Sequence, residues 1–267
     1  MTALPRVRDV GEFGLIAALN AVLPHTVRVN GRVTLGIGDD AAIWAPTSGT
    51  TSVITTDTLI EGRHFRLDWT DWRSLGHKML AVNLSDIASM GAMPVLATIT
   101  LGLTGDEHVA DLEELYRGAV ALAEPHDVAI AGGDVVRTTG PIVLSVTVVG
   151  EGEPLLRRDG ARPGDRLVVS GTLGASAAGL RLLESPETRS GATTADLLVG
   201  AHLRPNPRIA LGKVLARYGA TAAMDLSDGL LGDLPKLLAA SGVGARLDSR
   251  LVPVIPAVRA LFPIHWL

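Results

Sequence analysis

The stretch AVNLSDIASMGAMP, residues 81–94, closes a long amphipathic helix expected over about 71–91. Leu75, Met79, Val82 and Asp86 follow one another at intervals of four, three and four residues. At 3.6 residues per turn that spacing lines all four along one stripe, so Asp86 should face inward with its apolar neighbours. A lone buried carboxylate costs several kcal/mol unless it is hydrogen-bonded, paired or metal-bound. Two readings stay open for this residue alone: local bonding to amides or a lysine, or membership of a shared anionic site.

Its company favours the second. Asp39 and Asp40 follow the apolar run VTLGIG, Asp57 ends TSVITTD, Asp134 follows AIAGG, and Asp225 ends TAAMD. The phrase around Asp86 is nearly repeated as AAMDLSDGLLGDLP at 222–235, where Asp228 stands before a helix. Any one of these reads as a turn or cap, and Ser227 with Asp228 fits a helix start. Each is also placed where a strand would deliver it to the end of a sheet, which is where α/β sites collect. If they converge they repel, at about 3 kcal/mol per pair for 5 Å and an effective dielectric of 20. Those segments offer few lysines or arginines, and the chain has no cysteine. Hard oxygen donors without thiols suit Mg2+. Mg2+ ions among aspartates hold polyphosphates, so the expected ligand is a nucleoside triphosphate and the expected chemistry is phosphoryl transfer.

The order of elements predicts an α+β (mixed α/β) fold. Residues 1–150 read as a helix over Glu12–Leu23, strands ending near Ile37 and Thr56, the long helix, and a strand through VLATITLGL. A helix over Asp106–Glu124, the segment DVAIAGGD and the strand IVLSVTVVG complete this part. The Gly-, Pro- and charge-rich EGEPLLRRDGARPGD then reads as a linker or ligand loop. A second domain over 151–267 is expected to open with the strand RLVVSG. Helices around ASAAGLRLLES and NPRIALGKVLARYG follow, and then a strand-turn-helix over 221–242. ESPETRSGATTAD reads as a mobile surface connection without chemistry.

With 267 residues, 47% hydrophobic but 3% aromatic, the core must be built from aliphatic side chains. No apolar run reaches the roughly 18–20 residues of a membrane span, and the opening MTALPRVRDVGEFG lacks the apolar stretch of a signal peptide. A cytoplasmic protein with no membrane partner is expected. A net charge of −4 gives no basic footprint for nucleic acid.

GIGDDA at 36–41 matches G-x-G-x-x-A, yet two aspartates would face the pyrophosphate and Pro46 follows too soon for a helix, so a dinucleotide site is rejected. No P-loop motif is present. GGD at 132–134 reads as a tight turn that lets phosphate and metal approach, with Asp134 as ligand, or as a plain β-turn. GTLGASAAG at 171–179 offers helix amides to an anion or, more simply, close helix–strand packing. His64 stands where it could hydrogen-bond a substrate phosphate or simply face solvent, and the same choice applies to Arg158 in the linker.

The ordered set GEFGLI, GIGDDAA, TTDTLIEGRHF, KMLAVNLSDIASMGAMP, AGGD, RDGARPGD, SGTLGASAAGL, HLRPNPR and MDLSDGL resembles the thiamine-monophosphate kinase family, within the aminoimidazole-ribonucleotide-synthetase-like superfamily. The resemblance covers nearly the whole chain. It implies Mg2+- and ATP-dependent conversion of thiamine monophosphate to thiamine diphosphate on two α/β domains, as a homodimer built by the N-terminal domains. Carried over by motif, Asp40, Thr55, Thr56, Asp57, Asp86, Asp134, Asp225 and Asp228 resemble metal ligands, with Asp39 the lesser half of its pair. His64 resembles the substrate contact, and Gly133, Asp134, Arg158 and Ser227 the nucleotide contacts. The family continues through a GGEDY-like segment and a terminal aromatic, whereas this sequence ends at ALFPIHWL. From that the second domain is expected to be truncated, with Trp266 a conceivable substitute ring. A non-catalytic Mg-ATP-binding module and another ATP-dependent enzyme of the superfamily are the alternatives.

Overall fold

A computed structural model describes residues 4–185 and 192–261. The chain divides into two compact units: the first runs to Ile87 and resumes over Ala92–Glu153, and the second comprises Ala88–Gly91 and the chain from Pro154 onward.

In the first unit, helices α1 (Val7–Val22) and α2 (His25–Arg28) precede the short strands β1 (Val33–Leu35) and β2 (Ile43–Trp44). Strand β3 (Thr51–Ile60), helix α3 (Trp72–Ser89), strand β4 (Met93–Leu103), helix α4 (Val109–Ala123), and strands β5 (Ala129–Arg137) and β6 (Val143–Gly152) follow. The four long strands form one sheet in the order β3-β6-β4-β5. Only the β4–β5 pair is parallel, and helix α4 makes the crossover that such a pair requires. β3 and β5 are therefore the two edges. Alternation sorts the faces: Leu144, Val146, Val148, Ala97, Ile99 and Leu101 are buried, while Ser145, Thr147, Thr98 and Thr100 between them are half-buried. Helices α3 and α4 cross closely, because a Cβ on Gly76 would lie 1.8 Å from the Leu115 carbonyl oxygen and one on Gly118 1.9 Å from that of Arg73.

The mixture of helices and sheet agrees with the α+β expectation, and the elements of this unit lie close to their predicted spans. Three details differ. The first helix starts at Val7 and is interrupted at Gly11, whose φ of 68° no helix accommodates. The residues TSVITTD do not end a strand, since β3 continues to Ile60. GGD at 132–134 is no turn but the middle of β5, hydrogen-bonded to β4.

The second unit is helical among its described residues: α5 (Ala175–Glu184), α6 (Ala192–Leu203), α7 (Ile209–Arg217), α8 (Leu230–Ser241) and α9 (Pro256–Leu261). The expected strands RLVVSG and TAAMD carry no ladder; the described residues of this unit hold a single bridge, Leu173 to Val254. A strand needs a run of backbone partners, and the bond from Ala223 N–H to the Arg157 carbonyl at 3.0 Å builds no ladder by itself. Gly179 does serve close packing, but against helix α6 rather than a strand: its Cβ would meet the Leu198 carbonyl oxygen at 2.1 Å. Part of the expected mobile connection is helical, since α6 begins at Ala192. Residues 186–191 and Trp266 lie outside the described residues.

Candidate functional site

The first unit brings three of the expected residues together. β3 presents Thr55 and Asp57, two residues apart and hence on one face, and the last turns of α3 bring Asp86 to them. Thr55 Oγ1 donates to Asp86 Oδ2 at 2.6 Å. Asp57 is half-buried; that burial first, and the negative charge of Asp86 second, hold its pKa above the ordinary 3.8, with His64 pulling the other way. Asp86 is half-buried, at the margin of a stripe whose fully covered members are Leu75 and Met79. The helix face buried most deeply turns through Leu80, Asn83, Leu84 and Ile87 instead.

His64 follows β3 in a turn anchored by buried Phe65. Its Nδ1 accepts the Ile60 backbone N–H at 3.0 Å, so in the neutral ring the proton sits on Nε2, which can donate to an anion. Lys78, a little over two turns before Asp86 on α3, is half-buried, and burial lowers the pKa of its ammonium.

Other expected residues are not in this group. Thr56 faces the opposite side of the sheet, where it donates to the Val146 carbonyl at 3.2 Å and accepts from Thr147 Oγ1 at 3.0 Å. Asp57 pairs with Val146, Val146 with Ile99, and Ile99 with Gly133, which spans the sheet from edge to edge. Three inter-strand spacings, about 14 Å, separate those edges. Asp134 lies in the next row, with Thr58, Ser145 and Thr100, and so on the face opposite Asp57. The expected convergence of Asp57 and Asp134 does not occur within one chain. The physical reason is strand order, which puts β3 and β5 at opposite ends of the sheet. Gly133 has a packing role: a Cβ there would lie 1.8 Å from the Ile99 carbonyl oxygen. Asp39 and Asp40 are exposed in an irregular stretch where Asp39 Oδ1 accepts the Asp40 N–H at 2.8 Å, and no helix opens after GIGDDA.

In the second unit, half-buried Asp225 and exposed Ser227 and Asp228 lead into α8, whose cap is Gly229 rather than Ser227 or Asp228. The Asp228 carboxylate is taken by Lys236, whose Nζ donates to Oδ2 at 2.7 Å. Asp233 escapes the sequence reading although it is fully buried. The signal that points to it is a carboxylate in the first helical turn with a lysine three residues on. Burial works against its charged form, but Lys236 and the Asp228 and Ser227 amides outweigh it and hold the pKa below 3.8. Arg158 is exposed in a short 3-10 turn whose backbone is tied to α8 by Ser241 Oγ donating to the Arg158 carbonyl at 2.6 Å.

Among the described residues no three histidine or carboxylate side chains cluster closely enough to hold a metal ion by themselves. The Asp57–Asp86–Thr55 group nevertheless fits Mg2+. Its donors are hard oxygens, and the pKa of Asp57, raised first by burial and then by the charge of Asp86, shows that a cation placed beside the two would be favoured. Mg2+ is ordinarily held by one or two carboxylates, with water and phosphate completing the shell.

Two family models match the chain: AIR synthase related protein, N-terminal domain, over residues 38–151, and its C-terminal domain over residues 162–264. Together with the sheet and its paired carboxylates they define the class, an AIR synthase-related protein of two domains. The thiamine-monophosphate kinase of Escherichia coli (strain K12) is 43% identical over 251 residues, 93% of this chain and 74% of that protein. The crystal structure of thiamine-monophosphate kinase from Stenotrophomonas maltophilia K279a superposes with a TM-score of 0.82 at 41% identity, covering 92% of this chain and 77% of that one. A structure of AaThiL complexed with AMPPCP and TMP gives 0.76 at 35% identity, covering 97% and 80%. The chain belongs to the thiamine-monophosphate kinase family.

Proposed function

We propose that this chain transfers the γ-phosphoryl group of ATP to thiamine monophosphate, giving thiamine diphosphate and ADP. The observation that carries the reading is the half-buried pair Asp57 and Asp86, the latter hydrogen-bonded by Thr55 on the strand that carries Asp57, in a chain whose relatives are named for this reaction and include a protein bound to AMPPCP and TMP. A phosphate oxygen of the monophosphate attacks the γ-phosphorus, and the bond from that phosphorus to the β–γ bridging oxygen breaks. The acceptor is already anionic near neutral pH, so no general base is required. What the step needs is relief of repulsion between two anions and alignment of their oxygens. Mg2+ bound by Asp57 and Asp86 would supply the charge neutralisation. Asp40, Asp225, Asp228 and the hydroxyl of Thr55 are the further metal-facing groups of this reading; Thr56, with its hydroxyl engaged on the opposite face of the sheet, is left out of it. His64 donates from Nε2 to the substrate phosphate, and Gly133, Arg158 and Ser227 contact the nucleotide.

The reading includes a homodimer joined through the first unit. Support comes from the open face of the sheet, where Ile54 is 74% and Val136 44% exposed beside a ladder of threonine and serine hydroxyls. A second copy whose β5 edge lies by β3 would bring its Asp134 toward Asp57, a meeting that strand order forbids within one chain. None of the described helices is long and apolar enough to cross a membrane, and a cytoplasmic location is part of the same reading.

The test incubates the purified protein with ATP, Mg2+ and thiamine monophosphate and separates the products by chromatography. Thiamine diphosphate formed in step with ADP supports the kinase. ATP binding without product overturns it in favour of an Mg-ATP-binding module.

A further inference from the structure

The segment MDLSDG before α8 is held by two side chains that the proposed chemistry does not use. Fully buried Asp233 accepts through Oδ2 from the backbone N–H of Ser227 at 2.9 Å and of Asp228 at 2.8 Å. Its Oδ1 accepts from Lys236 Nζ at 2.9 Å, and the same ammonium donates to Asp228 Oδ2 at 2.7 Å. One carboxylate therefore fixes the loop backbone, and one lysine ties that carboxylate to the side chain the loop presents.

Exposure separates the two roles. The Asp233 side chain is 1% exposed, whereas those of Lys236 and Asp228 are 46% and 67% exposed. A buried, triply bonded carboxylate does not exchange partners readily. A half-exposed lysine on a flexible stem can leave Asp228 while keeping its bond to Asp233. Asp228 and Asp233, at 2.7 and 2.9 Å from the Lys236 ammonium, would repel without a cation between them.

We propose that Asp233 and Lys236 are positioning residues for Asp228. Asp233 sets the backbone of the loop, and Lys236 serves as a built-in counter-cation that holds the Asp228 carboxylate until a divalent ion takes it over. Ammonium and metal then compete for the same oxygen, which weakens binding of the ion alone and keeps the empty loop in its working shape. The inference rests on the reading of Asp228 as a metal ligand given under Proposed function.

The experiment titrates Mn2+ without nucleotide into the full chain, following bound ion by electron paramagnetic resonance, for wild type, Lys236→Met, Lys236→Arg, Asp228→Asn and Asp233→Asn. Lys236→Met is expected to tighten, by about two- to five-fold, the Mn2+ sites that Asp228→Asn weakens, with Lys236→Arg remaining near wild type. Asp233→Asn is expected to speed hydrogen exchange at the Ser227 and Asp228 amides. A purely structural lysine would lower the melting temperature and leave Mn2+ affinity alone, and that result, or weaker binding in Lys236→Met, overturns the counter-cation role. Unchanged amide exchange in Asp233→Asn overturns the role given to Asp233. If Asp228→Asn binds Mn2+ as wild type does, it is the ligand reading of Asp228 that fails. Lys236→Gln, which keeps a hydrogen-bonding end, makes the same comparison should the methionine variant not fold.

Discussion

Thr55 and Asp86, thirty-one residues apart, are joined by a 2.6 Å hydrogen bond from the hydroxyl on β3 to the carboxylate on α3. The bond aims Asp86 at the strand that carries Asp57, so the sheet and the helix present a preformed pair of anions. Asp86→Ala is expected to abolish Mg2+-dependent nucleotide binding while leaving circular dichroism unchanged. Calorimetric titration of Mg-ATP into the variant checks this, and wild-type affinity would count against the assignment. Thr55→Val removes the hydroxyl without altering charge, and a smaller loss of affinity is expected.

Asp57 should cost the metal-free protein stability. Its folded-state pKa lies above the ordinary 3.8, so the folded state holds its proton more tightly than the unfolded one. The penalty is full above the raised value and fades as pH falls from there toward 3.8. Asp57→Asn should therefore melt higher than wild type at pH 7 in EDTA, by a few degrees at most because the group is half-exposed. The same substitution should remove the stabilisation that Mg2+ and nucleotide give the wild type. Thermal scans with and without Mg2+ decide it.

Asp57 and Asp134 stand on opposite edges and faces of one sheet. If a second copy completes the site, inactive Asp57→Asn and Asp134→Asn proteins should complement each other when unfolded together and refolded as a mixture. Random pairing makes half the dimers mixed, each with one intact site, so about a quarter of wild-type activity is expected. No recovery in dimers shown by light scattering to have exchanged subunits would show that Asp57 and Asp134 do not share a site across two copies.

Gly133→Ala should destabilise the protein before any effect on nucleotide is considered. The added methyl would overlap the backbone of Ile99, 1.8 Å from its oxygen, and a sheet backbone yields only by losing ladder bonds. A loss of about 1–3 kcal/mol is expected. Denaturant unfolding without ligand measures it.

His126, the last residue of the short 3-10 turn that leads from α4 toward β5, has its pKa lowered from 6.5 by burial. The unfolded chain then binds its proton more readily, so this group's contribution falls as pH drops through 6.5 toward the folded value, and stability rises with pH across that window. His126→Gln should flatten that part of the profile of unfolding free energy between pH 7.5 and 5. An unchanged slope would show that His126 does not titrate with folding.

The elements of the first unit were legible because periodicity marks them. Alternation across β6 and the stripe Leu75–Met79 are written in residue spacing; the same spacing puts Asp86 on that stripe facing inward, whereas the structure leaves it half-buried at the margin. The second unit was less legible at RLVVSG and TAAMD, since β-rich composition reports a preference for extended backbone and says nothing about whether a partner is available. Asp233 was hidden for a related reason: a carboxylate in a first helical turn resembles an ordinary helix-dipole residue until its burial is known.

By itself the sequence determined which residue types were available for the chemistry: hard oxygen ligands in recurring motifs, no thiols, and an ordered set of motifs belonging to one family. Tertiary structure decided which of them meet. Spacing along a strand fixes the face a side chain takes, but only strand order and register fix its distance from residues far along the chain. For that reason Thr55, Asp57 and Asp86 share one side of a sheet while Thr56 and Asp134 lie on the other.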